Sequence, residues 1–156
     1  MDSYDIQRFL HIAAALIGLG GAFALPFAQA VGERRGVGGT RFALELADRL
    51  EKFLVIPGAI IVLLVGIGLI FDDATGYKDD FPAWLAVSIV WFLVAVVGAI
   101  VFRDRAARKA LDLLEGMPDD ADLPAEYGPL GSQMQMVVGV LLLSIAGIAL
   151  LMVWRP

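Results

Sequence analysis

The only histidine of the chain, His11, is the residue with the clearest capacity for chemistry. It lies near the start of an apolar stretch, Ile6–Gln29, that is long enough to cross a bilayer. An ionisable side chain inside such a stretch costs insertion free energy, roughly 2.5–3.5 kcal/mol for a full charge at mid-helix. We therefore expect a neutral imidazole, and any functional hypothesis for this protein has to account for it.

Three interpretations of His11 remain open from the sequence. In the first, the imidazole hydrogen-bonds a backbone carbonyl or Ser88 and has a purely structural role. In the second, it ligates haem or copper, with Met152 of the last apolar run as the further ligand. In the third, it relays protons or contacts a substrate in a transport path. Helical spacing places Arg8 and Tyr4 on the same face, so a polar track leads from the water to His11.

Composition excludes several other kinds of chemistry. The chain has no cysteine, which excludes disulfides, thiolate metal sites and cysteine nucleophiles. No acidic residue lies inside an apolar run and no serine–histidine–aspartate set is evident, so we predict no catalytic residues and consider an enzyme the less favoured class. The net charge of −5 argues against nucleic acid as a partner, because the chain offers no basic groove for phosphates.

The elements that position His11 are four apolar runs, each near the twenty residues that a spanning helix needs. They cover residues 6–30, 53–71, 83–102 and 134–154. The whole chain is 59% hydrophobic and 19% charged, with a mean hydropathy of +0.77. Short connections favour antiparallel neighbours. We therefore predict an all-α, polytopic membrane protein: a single domain, residues 1–156, folded as an up-and-down bundle of four transmembrane helices.

Basic residues predict the orientation of this bundle. Nine of the twelve lysines and arginines lie in or beside the first and third connections: Arg34, Arg35, Arg41, Arg49, Lys52, Arg103, Arg105, Arg108 and Lys109. The positive-inside rule then places these connections in the cytoplasm and both termini on the outer side of the inner or plasma membrane. Apolar residues at helical spacing predict cytoplasmic helical extensions over 40–52 and 103–117, the first with Thr40 as its N-cap.

Small residues of the first run predict where helices pack most closely. Ala14, Gly18 and Ala22 recur at four-residue spacing, which lets a neighbouring backbone approach. We therefore expect the first helix to be the packing centre of the bundle.

Two prolines inside the helices predict irregular backbone. Pro26 and Pro57 each remove a helical hydrogen bond, and Gly58 adds flexibility beside the second. Because both lie towards the cytoplasmic ends of their runs, we expect the helices to splay apart in that half.

The longer patterns resemble a known family. They are FLHIAAALIGLGGAFALPF, DRLEKFLVIPGAIIVLLVGIGLI and FPAWLAVSIVWFLVAVVGAIVF. They resemble the predicted integral membrane proteins of domain-of-unknown-function 2269, a four-helix family without an assigned activity. That family is similar in turn to CopD-like copper-resistance proteins and HemJ-type protoporphyrinogen oxidases. His11 matches the histidine that these groups share early in the first helix, and the resemblance implies haem or copper as a cofactor there.

Two functional hypotheses follow. The first is a non-enzymatic bundle that acts as an accessory, structural or small transport-type protein. The second is a membrane redox protein that binds haem or copper through His11. In both, the lipid bilayer is the main partner, and the sequence leaves open whether the chain forms a homo-oligomer or joins a larger membrane complex.

Overall fold

Four long helices make up the fold. The computed structural model describes residues 2–154, and the regular elements of that range are all helical. The helices are α1 (Ser3–Glu33), α2 (Gly36–Ile70), α3 (Ala83–Leu114) and α4 (Tyr127–Trp154). Each is long and apolar enough to cross a membrane. The predicted fold class, an all-α protein with four helices able to span a membrane, is confirmed.

The helices pack as two antiparallel hairpins. α1 lies along α2, and α3 lies along α4. We call the end of the bundle with Asp2, Trp154 and the loop 71–82 the terminal end, and the opposite end, with the connector 115–126, the connector end. The two hairpins contact each other mainly in the half near the connector end, where α3 also meets the first part of α2. The bundle is therefore tightest at one end.

The connector half is held by a continuous apolar core and by one arginine. Its buried side chains come from α2, α3 and α4: Val37, Leu44, Ala106, Ala110, Leu114, Tyr127 and Met134. Arg41 donates to Asp119 Oδ1 at 2.7 Å, to the Met117 carbonyl at 2.6 Å and to the Leu114 carbonyl. It thus satisfies the carbonyls that the end of α3 leaves without helical partners. The connector is fixed against the start of α2.

The backbone of α1 and α2 is irregular beside the two prolines. In α1, a wide π turn over Ala15–Leu19 is followed by a tight 3₁₀ turn over Gly20–Phe23, directly before Pro26. In α2, a π turn over Glu51–Val55 directly precedes Pro57. A proline ring clashes with the carbonyl four residues earlier and has no N–H to donate to it. The helical hydrogen bonds of the preceding turn therefore change to the π or 3₁₀ pattern.

Several element boundaries differ from those predicted. α2 begins at Gly36, and Thr40 is not its N-cap, because the Thr40 hydroxyl donates to the Gly36 carbonyl at 2.9 Å inside the helix. α3 ends at Leu114, followed by Gly116 with a φ of 75°, and α4 already begins at Tyr127. Hydropathy marks only the lipid-facing part of a helix, so it misses polar turns that protein contacts stabilise.

The predicted splaying of the proline-containing half is wrong. Pro26 lies on the connector side, where the hairpins are packed, and Pro57 lies near the middle of α2 beside the floor of the cleft, while the gap between the hairpins lies towards the terminal end. The irregular turns absorb the effect of each proline locally, and small residues keep α1 and α2 together beside them.

A candidate ligand cleft in the terminal half

A cleft of about 500 Å³ separates the two hairpins in the terminal half. All four helices line it, almost entirely with apolar side chains. Its floor is a packed cluster from α1, α2 and α3, formed by Leu19, Ala59, Val62 and Phe92. Binding sites for small molecules are commonly clefts of roughly 300–1,000 Å³ with an apolar lining and a few polar groups. This cleft has that size and composition.

His11 supplies a polar group to the wall of the cleft. Its Nδ1 is inaccessible to solvent and faces α2, where a Cβ on Gly66 would lie 3.3 Å from it. No hydrogen bond of normal geometry reaches this nitrogen among the described residues, but the backbone of Val62 in α2 acts on the ring as a hydrogen-bonding group. Ser88 also lines the cleft, but its hydroxyl donates to the Trp84 carbonyl at 2.8 Å. The predicted hydrogen bond to Ser88 therefore does not satisfy Nδ1. The other partner predicted for His11, a backbone carbonyl, is represented in α2 by Val62.

Two glycines of α2 make room for polar side chains of α1. A Cβ atom on Gly66 would lie 2.9 Å from His11 Cε1, and one on Gly68 would lie 2.7 Å from Gln7 Oε1. Gln7 in turn donates to Asp72 Oδ2 at 3.1 Å, which ties α1 to the loop 71–82. The sequence pattern Gly66-Ile67-Gly68 was the available signal for this arrangement, and the sequence analysis missed it.

Polar and aromatic residues form the upper part of the cleft. Tyr4 and Arg8 line it together with His11, as the helical spacing of the polar track predicted. On the facing side, Tyr77 and Trp84 pack edge to face, with ring centroids 5.9 Å apart and planes at 85°. Aromatic side chains with a polar edge are typical of the depth at which a membrane meets water. The rim is thus amphipathic, whereas the floor is apolar.

Met152 of α4 lines the same cleft as His11, so the two residues predicted as cofactor ligands share one site. The described residues contain no group of three or more histidines, cysteines, aspartates or glutamates that could hold a metal ion. A bare copper ion takes several protein ligands, whereas haem brings four of its own and needs one or two axial ligands from the protein. The residues of the cleft therefore fit haem better than copper.

The predicted packing residues lie below the cleft. Gly18 and Gly58 face each other so closely that a Cβ on either would collide with the backbone of the other. Ala22 is fully buried in a central core that also contains Leu25, Ala47, Val55, Ala99, Val138 and Leu141. Ala14 packs against the cluster at the floor of the cleft. This close approach joins α1 to α2 beneath the wall that carries His11.

Two polar contacts between the hairpins were missed by sequence reasoning. Arg103 of α3 forms a buried ion pair with Glu51 of α2. Glu33 Oε1 accepts hydrogen bonds from Gln29 Nε2 at 2.7 Å and from the Tyr127 hydroxyl at 3.0 Å, which joins α1 to α4. Glu33, Glu51 and Arg103 each stand close to the end of an apolar run, whereas Tyr127 lies outside the runs. That position was the only signal, and it does not indicate the partner.

The comparison with protein families agrees with this architecture. Residues 5–156 match the family described as predicted integral membrane protein (DUF2269). The chain belongs to this family. The match covers nearly all of the four-helix bundle and includes His11, both glycine contacts with α2 and the cleft lining apart from Tyr4. No curated protein and no solved structure matches the chain. As a multi-pass integral membrane protein, this DUF2269 member contacts lipid through its outer faces.

Proposed function

We propose that this protein binds a lipid-soluble molecule in the cleft of its terminal half and acts as a small transport-type protein. The observation that carries the proposal is the apolar cleft of about 500 Å³ between the two hairpins, whose lining includes the polar side chains of Tyr4, Arg8 and His11. A ligand with an apolar body and a polar group would cover the apolar lining and contact these polar side chains. The described lining holds no aspartate or glutamate, and the Ser88 hydroxyl donates to the Trp84 carbonyl instead of pairing with His11, which favours binding over hydrolysis.

We also propose that the terminal end faces outward from the inner or plasma membrane. Nine of the twelve lysines and arginines belong to the connector side, where the positive-inside rule places the cytoplasm. Arg155, one of the remaining three, lies outside the described residues. In this orientation the cleft exchanges its ligand with the outer leaflet, while the packed connector half separates it from the cytoplasm.

A photoreactive probe tests the binding proposal. The protein is reconstituted in nanodiscs with an alkyl diazirine alcohol, and the crosslinked residues are mapped by mass spectrometry. We expect labels on cleft residues of α1 and α2. The variant Ala149→Trp, which fills the cleft from α4, should remove them, whereas Leu150→Trp on the lipid-facing surface should not. Labels spread evenly over lipid-facing residues, or equal labelling of both variants, would contradict the proposal.

A second candidate function is haem binding in the same cleft. The observation that favours it is the placement of His11 and Met152 in one cleft. These two side chains would hold the haem, and the apolar lining would shield it from water. Bound haem would supply one-electron redox chemistry, and the protein would tune it through its ligands and the polarity of the cleft.

Visible spectroscopy separates the two candidates. Protein purified in mild detergent, with and without added haem, is examined for a Soret band. Under the haem hypothesis, the band appears in the wild type and is lost in His11→Ala, while Ser88→Ala retains it. A colourless wild type that also fails to bind added haem would exclude this candidate and leave the binding of a colourless ligand as the function.

A further inference from the structure

We propose that the ligand of this cleft is an anionic amphiphile, whose oxyanion headgroup pairs with Arg8 and whose single apolar chain extends down past His11. The inference rests on the proposed function, because it requires that the cleft binds a lipid-soluble molecule. It adds the charge of the headgroup and the direction of binding.

Arg8 is the cation of the described cleft lining. It is exposed and forms no ion pair with another described residue. A guanidinium presents a fork of N–H donors that matches a carboxylate or a phosphate in charge and shape. The cleft thus offers a charged anchor whose natural counterpart is an oxyanion.

The surroundings of Arg8 make this anchor selective. The terminal end is otherwise acidic among the described residues, with Lys78 as its further cation; its carboxylates are Asp2, Asp5, Asp72, Asp73, Asp79 and Asp80. Of these, Asp5 lies one turn before Arg8, while Asp72 is engaged by Gln7 and by the Ala74 N–H. Free anions are repelled by such a surface. An anion reaches Arg8 most readily when an apolar chain holds it at the membrane.

The dimensions of the cleft give the direction of binding. Arg8 and Tyr4 lie at its upper end, and Leu19 lies at its floor. Eleven residues separate Arg8 from Leu19, which corresponds to a depth of about 16 Å along a helix. The lining between them is apolar apart from His11 and Ser88. A ligand with its headgroup at the rim and one apolar chain pointing to the floor matches a cleft that is charged at its upper end and apolar below.

Chain-matched probes test the charge of the headgroup. A pyrene-labelled fatty acid, its methyl ester and the corresponding amine are titrated into the protein in nanodiscs, with binding followed by fluorescence. We expect the acid to bind at least ten-fold more tightly than the ester or the amine. Arg8→Gln should remove this preference without weakening the ester, and Arg34→Gln, on the same helix at the connector end, should leave the preference unchanged.

The outcomes separate this inference from the function on which it rests. Equal affinity for acid and ester, or a preference for the amine, combined with loss of binding in Ala149→Trp, would overturn the anionic headgroup and leave the cleft as the binding site. Binding of every probe that Ala149→Trp does not reduce would overturn both. Displacement of the acid by inorganic phosphate at millimolar concentration would overturn the requirement for a chain and identify a site for free oxyanions.

Discussion

Glu51 of α2 and Arg103 of α3 form an ion pair between the two hairpins, and their side chains are only 11% and 8% exposed. The pair lies next to the central core formed by Ala47, Val55 and Ala99. Two desolvated charges stabilise each other only while both are present, since either one alone remains buried without compensation. The pair therefore fixes the relative position of the hairpins on the connector side of the cleft.

Removing one partner of this pair should be strongly destabilising. For Glu51→Leu we expect a loss of about 3–5 kcal/mol in the free energy of unfolding, because Arg103 is left buried and unpaired. The double variant Glu51→Leu/Arg103→Leu should recover most of the loss. Unfolding in mixed micelles measures both. Lys52→Gln, which breaks an exposed pair with Asp48, is the control and should cost less than about 1 kcal/mol. Equal losses in Glu51→Leu and Lys52→Gln would contradict the prediction.

The contact between Gly18 and Gly58 predicts a sharp difference between two glycines of α1. Gly18→Ala should lower the free energy of unfolding by about 1–3 kcal/mol, because the new Cβ would push α2 away. Gly20→Ala is the matched control: no atom lies within 4 Å of its added Cβ. Thermal unfolding in detergent compares the two variants. If both lose the same stability, close packing is not the reason for glycine at position 18.

Arg41 should control the order of the connector. Arg41→Gln removes the ion pair with Asp119 and the charged donors to the carbonyls of Leu114 and Met117. We expect hydrogen exchange over residues 115–126 to become at least ten-fold faster. Arg108→Gln, which breaks an exposed pair within α3, serves as the control and should leave this exchange unchanged. Unaltered protection in Arg41→Gln would show that the apolar contacts and the backbone hydrogen bonds from Val37 and Gly38 hold the connector without Arg41.

The orientation of the bundle can be tested with single cysteines, since the native chain has none. Asp79→Cys places a thiol in the exposed loop of the terminal end, and Asp120→Cys places one in the connector. With a membrane-impermeant maleimide on intact cells, Asp79→Cys should be labelled and Asp120→Cys should be labelled only after permeabilisation. The reverse pattern would place the cleft on the cytoplasmic side.

The sequence was sufficient for the features that depend on hydrophobicity alone. Four long apolar runs without central charges specify four spanning helices, since other structures leave backbone groups unsatisfied in lipid. Helical spacing also places Tyr4, Arg8 and His11 on one face, and all three line the cleft. These inferences concern single helices, for which the periodicity of side chains is enough.

The features that depend on how two helices face each other could not be predicted from the sequence. The sequence does not indicate that Arg103 pairs with Glu51 or that Gly66 faces His11. These contacts depend on the relative rotation of two helices. The position of the gap was mispredicted for a related reason. Pro26 was expected to open the half in which it lies, but the preceding 3₁₀ turn compensates for it locally.

The irregular turns of α1 and α2 make the molecule mechanically asymmetric. The π turn over Ala15–Leu19 lines the lower part of the cleft, and the π turn over Glu51–Val55 lies beside it. By contrast, α3 and α4 are regular along their whole described length. A regular helix is stiff, and helices bend most readily where their hydrogen-bond ladder is interrupted. One wall of the cleft is thus compliant and the other is rigid. When the cleft adjusts to the shape of a bound molecule, the helices that move are therefore α1 and α2, which form the wall with His11.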